Sequence, residues 1–134
     1  MSQYCVELRD SIMIAHSLPD AFFGPAQGLH GATFTVDARF FSEKLNAKNV
    51  VVDIGLAMEG LAAVLKPLNY ANLDTVKEFE GQFTTTEFLA RHIFDKLAEK
   101  ARAGDLGEGS DDLSEIEVFL HESHFARAGY RGTV

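Results

Sequence analysis

Two histidines carry the chemistry this protein could do. His16 closes the strand-like run Ile12-Met13-Ile14-Ala15-His16, and His30 opens another in Leu29-His30-Gly31-Ala32-Thr33-Phe34. Residues two apart on an extended strand share a face, so His30 and Ala32 should point the same way. An Ala-His followed by a His-Gly-His would be a three-imidazole zinc site. Here Ala32 stands in the third place. The metal candidates are therefore His16 and His30, with a third ligand to come from His124, Asp20 or a carboxylate of a neighbouring subunit. Without one, both are hydrogen-bonding core or pocket histidines.

The elements that position them follow from periodicity. Tyr4 to His16 reads as a first strand with a break near Asp10. From Thr33 to Phe41, Phe34, Val36, Ala38 and Phe40 alternate with Thr33, Thr35, Asp37 and Arg39, the pattern of a half-buried strand paired with the first. Asn49 to Asp53 reads as a short apolar strand ending on a helix N-cap. A helix follows, with Leu56, Leu61, Val64 and Leu65 near one side, and stops before Pro67. Leu68 to Asp74 is expected to be a loop or short turn. Thr84-Thr85-Thr86-Glu87 fits a capping box for a second helix, striped by Phe88, Leu89, Ile93, Phe94 and Leu97 and closed at Gly104. Leu113 to His124 reads as the last strand, with Ile116, Val118 and Leu120 facing one way and Glu117, Phe119 and His121 the other. The expectation is an α+β, two-layer domain over residues 1–134: one antiparallel sheet with two helices on one face. Its uncovered edges call for partner subunits, so a homo-oligomer is expected.

Composition narrows the function classes. The chain has 134 residues and a net charge of −8, which disfavours nucleic-acid binding. The acids of Asp105 to Asp112 read as a solvated loop. One cysteine excludes an internal disulfide, and Cys5 is expected to be buried and inert. No run approaches the roughly 20 apolar residues of a membrane span. No signal-peptide pattern appears at the N-terminus, so a cytoplasmic location is expected.

Taken in order, Ala15-His16-Ser17-Leu18, Leu29-His30-Gly31, Val51-Val52-Asp53-Ile54, Leu68-Asn69-Tyr70-Ala71-Asn72-Leu73-Asp74, Thr85-Thr86-Glu87-Phe88-Leu89-Ala90 and His121-Glu122-Ser123 resemble the 6-pyruvoyltetrahydropterin synthase / 6-carboxytetrahydropterin synthase family. The resemblance spans nearly the whole sequence. It implies the tunnelling fold: a four-stranded antiparallel sheet and two helices per subunit, with sheets joined into an oligomeric barrel. Trimers pair into hexamers in that family, with active sites between subunits. The resemblance also implies zinc on His16 and His30, and a pterin or purine ligand anchored by Glu122, with Ser123 beside it and Thr85 bordering the pocket. Three departures stand out. Ala32 replaces a zinc ligand. The place of the family's catalytic Cys, within Gly24-Pro25-Ala26-Gln27-Gly28 at Ala26, holds no thiol. Asn69 and Tyr70 stand at the Asp-His dyad.

Glu122 is the firmest of these residues. A pocket carboxylate can accept two parallel N–H bonds from the 2-amino group and ring N–H of a pterin or guanine. If the last strand runs on through Ser123, Glu122 and His124 share a face, which makes His124 a candidate catalytic acid/base or replacement metal ligand. His121 should face the opposite way. Tyr70, the other catalytic candidate, could donate a hydrogen bond to a ligand oxygen. Arg127, Tyr130 and Arg131 form either a flexible C-terminus or a basic tail that closes over an anionic group.

Two functions are compatible with these residues. One is a lyase of the pterin synthase kind acting on a reduced pterin such as dihydroneopterin triphosphate, zinc-assisted and with altered catalytic groups. The other is a non-catalytic pterin- or purine-binding protein that keeps the Glu122 anchor.

Overall fold

The computed structural model describes residues 2–134. Two long strands, β1 (Tyr4–His16) and β2 (His30–Ser42), pair antiparallel from Tyr4↔Ser42 to His16↔His30. Alternation sorts their side chains. Leu8, Ile12, Ile14, Phe34, Val36, Ala38 and Phe40 enter the core, while Arg9, Asp37 and Arg39 line the other face. The expected break at Asp10 is absent. Asp10 pairs with Val36 in an unbroken ladder, and its carboxylate accepts from the Ser11 N–H at 2.7 Å. Cys5 is exposed rather than buried, because it sits among the odd-numbered β1 residues that turn away from the core.

Helix α1 (Ile54–Leu65) starts where Asp53 accepts from the Leu56 N–H at 3.0 Å. Leu61, Val64 and Leu65 are buried, and Leu56 remains exposed at the helix start. The run before it is not a strand. Asn49 adopts φ 60, and the Asn46 side chain accepts from the Lys48 and Val50 N–H groups, closing a loop. Its apolar character is explained by Val52, which plugs the core. Residues expected to form only a loop supply β3 (Ala71–Asn72), a short parallel partner of β1.

Helix α2 (Thr86–Arg102) buries Leu89, Ile93, Phe94 and Leu97, as its stripe predicts. Its N-cap is Thr85, which accepts from the Phe88 N–H at 3.2 Å. The capping box counted from Thr84 to Glu87 is therefore displaced by one residue, which frees the Thr84 hydroxyl.

The last strand is shorter than expected. β4 (Glu115–His121) ends when the Glu122 and Ser123 N–H groups both turn onto the Ala126 carbonyl. The backbone then returns as β5 (Arg127–Thr133), antiparallel to β4, where a flexible terminus was one alternative. The sheet thus has five strands in the order β3-β1-β2-β4-β5, and the β1–β3 pairing makes it mixed rather than wholly antiparallel. Both helices pack into one core against the same sheet face. The opposite face is open and polar. No helix among the described residues is long and apolar enough to cross a membrane.

Candidate functional site

The β1–β2 register brings His16 and His30 directly opposite each other at the end of the ladder, with ring centroids 4.6 Å apart. His16 is 4% exposed. Its Nδ1 lies 3.0 Å from Thr84 Oγ1, the hydroxyl that helix capping left free. His30 Nδ1 donates to the Gly28 carbonyl at 2.8 Å, since a carbonyl only accepts. Each ring is therefore oriented through Nδ1, and Nε2 is the nitrogen left to face a ligand. Burial lowers the His16 pKa, the neighbouring His30 lowers it further, and the Thr84 contact and the charges of Asp74 and Glu122 oppose this. A neutral imidazole is the metal-binding form. The donor count is the obstacle. Ala32 lies opposite Ile14 on the same face as His30 and offers no donor. No group of three His, Cys, Asp or Glu side chains among the described residues is placed to hold a metal. Two imidazoles fall short of the three protein ligands that zinc sites use, so the donors of a single chain do not fit a zinc ion by themselves.

Glu122, Ser123 and His124 lie in the β4–β5 turn, not on a strand. The shared face expected for Glu122 and His124 therefore lapses, because their relation is set by the turn. Ser123 Oγ accepts from the Phe125 N–H at 3.1 Å and braces the turn. The Glu122 carboxylate has no ion-pair partner among the described residues, and its charge reaches His16. Glu122, Ser123 and His124 line a cavity of about 440 Å³ together with Arg9, His121 and Arg127. The anchor candidate thus borders the polar sheet face through Arg9, His121 and Arg127.

That face holds a cluster which sequence reading did not assemble. Asp37, 6% exposed, takes two bonds from Arg9, Nε to Oδ1 at 2.6 Å and a terminal guanidinium nitrogen to Oδ2 at 2.9 Å. His121 Nε2 lies 2.7 Å from the same Oδ2. The Arg9 bonds and the His121 bond hold the Asp37 carboxyl below its ordinary range, against the opposing effect of burial. Arg9 and Asp37 are direct cross-strand partners, so their meeting follows from register. The signal available in the sequence was the placement of Asp37 on the polar face of β2.

A family model described as 6-pyruvoyl tetrahydropterin synthase matches residues 5–133. The chain belongs to that family. The 6-pyruvoyl tetrahydropterin synthase of Caenorhabditis elegans superposes with a TM-score of 0.80 at 23% identity, covering 99% of this chain and 98% of that one. The Plasmodium vivax enzyme of the same description superposes at 0.78 with 16% identity over all of both chains. An uncharacterized protein from Wolinella succinogenes gives 0.67 at 14% identity, covering 99% of each. At such identities these structures share the fold. No curated protein matches the sequence.

Within this 6-pyruvoyl tetrahydropterin synthase family member, the remaining candidates lie elsewhere. Asn69 Oδ1 accepts from the Met13 N–H at 3.0 Å, tying its loop to the outer edge of β1. Tyr70 adopts φ 61 and is 81% exposed. It lines a separate cavity with Asp10, Ser11 and Lys66, away from Glu122. Thr85 uses its oxygen as the α2 cap, while Thr84 is the threonine that reaches His16.

Proposed function

We propose that the protein holds the 2-amino and ring N–H edge of a reduced pterin on Glu122 and acts on that pterin with groups other than a Cys and an Asp-His pair at Asn69–Tyr70. Dihydroneopterin triphosphate is the model substrate. The observation that carries this reading is Glu122 itself, an exposed carboxylate in the β4–β5 turn with no ion-pair partner among the described residues, lining a cavity with Arg9, His121 and Arg127. Glu122 is exposed in the single chain; once a bound ring shields it from water, a ring without both donors would leave the carboxylate unpaired, at a cost of about 1–3 kcal/mol. Ring binding on Glu122 needs no metal. Zinc assistance requires a third donor beyond His16 and His30, from His124, Asp20 or another copy of the protein.

A homo-oligomer, a hexamer built from trimers in the proposed form, belongs to the same reading. β3 covers only Ile14 and Ala15 of the outer edge of β1, and the outer edge of β5 has no partner among the described residues. Such edges attract strand pairing.

The second reading is a pterin- or purine-binding protein without turnover. The two-imidazole donor set and the structural use of Asn69 favour it. Incubating the protein with neopterin and with 7,8-dihydroneopterin triphosphate separates the two. Binding with product formation supports the enzyme, binding without product supports the binding protein, and binding unaffected by Glu122→Ala contradicts both.

A further inference from the structure

We propose that Asp37 and His121 form a proton-transfer pair on the open sheet face, in which Nδ1 of His121 exchanges a proton with the substituent carried by the ring ligand held on Glu122. The proposal rests on the pterin reading above and adds to it the group that would move the proton.

Hydrogen-bond bookkeeping fixes the tautomer. A guanidinium only donates, so Asp37, bonded twice by Arg9, is an ionised acceptor. The nitrogen of His121 that meets its Oδ2 must then carry the hydrogen. In the neutral ring this leaves the lone pair on Nδ1. The His121 side chain is about a fifth exposed, whereas that of Asp37 is buried. A buried carboxylate behind an imidazole holds the ring in one orientation and stabilises the imidazolium that forms on protonation. His121 and Glu122 line the same cavity, which places the imidazole of the pair beside the proposed ring anchor.

The charges that surround the pair are balanced. Glu7, Arg9, Arg39, Glu117 and Arg127 face it from the neighbouring strands, with Glu122 and His124 in the turn, three carboxylates against three guanidiniums. In the step, a C–H bond of the ligand substituent, α to a ring imine, breaks. Its proton goes to Nδ1 and its electron pair stays on the ligand, delocalised onto the imine nitrogen. The proton then returns to the ligand, so no oxidant or second reactant is consumed.

The test is hydrogen exchange in heavy water with 7,8-dihydroneopterin, whose substituent carries a C–H next to the ring imine. Proton NMR should show loss of that signal with the wild-type protein. His121→Gln, whose amide can still donate to Asp37 but cannot take a proton, should slow exchange at saturating ligand by roughly 100-fold or more. Asp37→Asn should slow it by at least about tenfold. Glu122→Ala should weaken binding itself, so failure of the ring anchor is distinguishable from failure of the proton-transfer pair. Exchange at the wild-type rate in folded His121→Gln would overturn the proposal, as would a wild-type protein that binds the ligand without exchanging it. Nitrogen NMR of the unliganded protein gives an independent reading that does not depend on a variant folding. In the neutral form of His121 the hydrogen is expected on Nε2, and a neutral ring protonated on Nδ1 would refute the pair.

Discussion

His16 and His30 face each other across the last rung of the β1–β2 ladder, 4.6 Å between ring centroids. The protein's own groups orient the pair, because each ring is held through Nδ1, by Thr84 and by the Gly28 carbonyl. What the pair lacks is a third donor, and Ala32 occupies the adjacent position on the same strand face.

Ala32→His should therefore create a zinc site. The variant is expected to retain about one zinc per subunit after dialysis, with affinity raised by more than the roughly 10–100-fold that an outer-shell partner contributes. Metal analysis of both proteins checks this. Equal, near-stoichiometric zinc in the wild type would mean that another group already supplies the third bond.

Thr84→Val should destabilise the fold by about 1 kcal/mol in urea denaturation. It removes the hydroxyl beside His16 Nδ1 and keeps the side-chain volume. Thr84 is buried, so little water is available to take over the contact.

Asp37 ties stability to pH. Its carboxyl titrates below the usual range because of the Arg9 bonds, assisted by His121 and opposed by burial. A depressed acid contributes stability above its unfolded pKa of about 3.9 and loses it as pH falls through the folded value. Asp37→Asn is thus expected to cost about 2 kcal/mol at pH 7, and progressively less below about pH 4, where the wild-type carboxyl also takes up a proton. Urea titrations at several pH values test the sign. A variant penalty that persisted undiminished in acid would contradict the ion cluster.

Gly129 tests the fifth strand. A Cβ there would meet Phe119 Cδ2 at 2.6 Å and the Val118 carbonyl at 2.7 Å. Gly129→Ala should cost about 1–3 kcal/mol, since β5 must lift from β4 to admit the methyl. A frayed terminus would tolerate the change, so unchanged thermal stability would argue against a docked β5.

Much of the architecture was legible because alternation and periodicity are local. The two long strands, both α-helices, the Asp53 cap and the core residues Phe34, Val36, Ile93 and Leu97 all follow from patterns within a few residues. β5 was hidden because Arg127-Ala-Gly-Tyr-Arg-Gly-Thr133 carries two glycines, residues depleted in strands. They are there because Phe119 and the α2 residue Phe94 occupy the space that side chains would need. Asn49 to Asp53 misled in the opposite sense, since one buried valine in a closed loop looks like a strand. The His16–His30 pair could be anticipated from strand ends. The Arg9–Asp37–His121 cluster could not, because β4 lies beside β2 only through a crossover that sequence order does not specify. His124 was tied to Glu122 by extending β4 three residues too far.

The most direct test is the affinity of the protein for neopterin before and after substitution of Glu122. Calorimetric titration of the wild type, Glu122→Gln and Glu122→Ala under identical conditions isolates the carboxylate. Binding by the wild type is expected, with a loss of about 1–3 kcal/mol, roughly 5- to 150-fold in Kd, in both variants. Equal affinity in all three folded proteins would contradict the ring anchor, and with it the account of what this site holds.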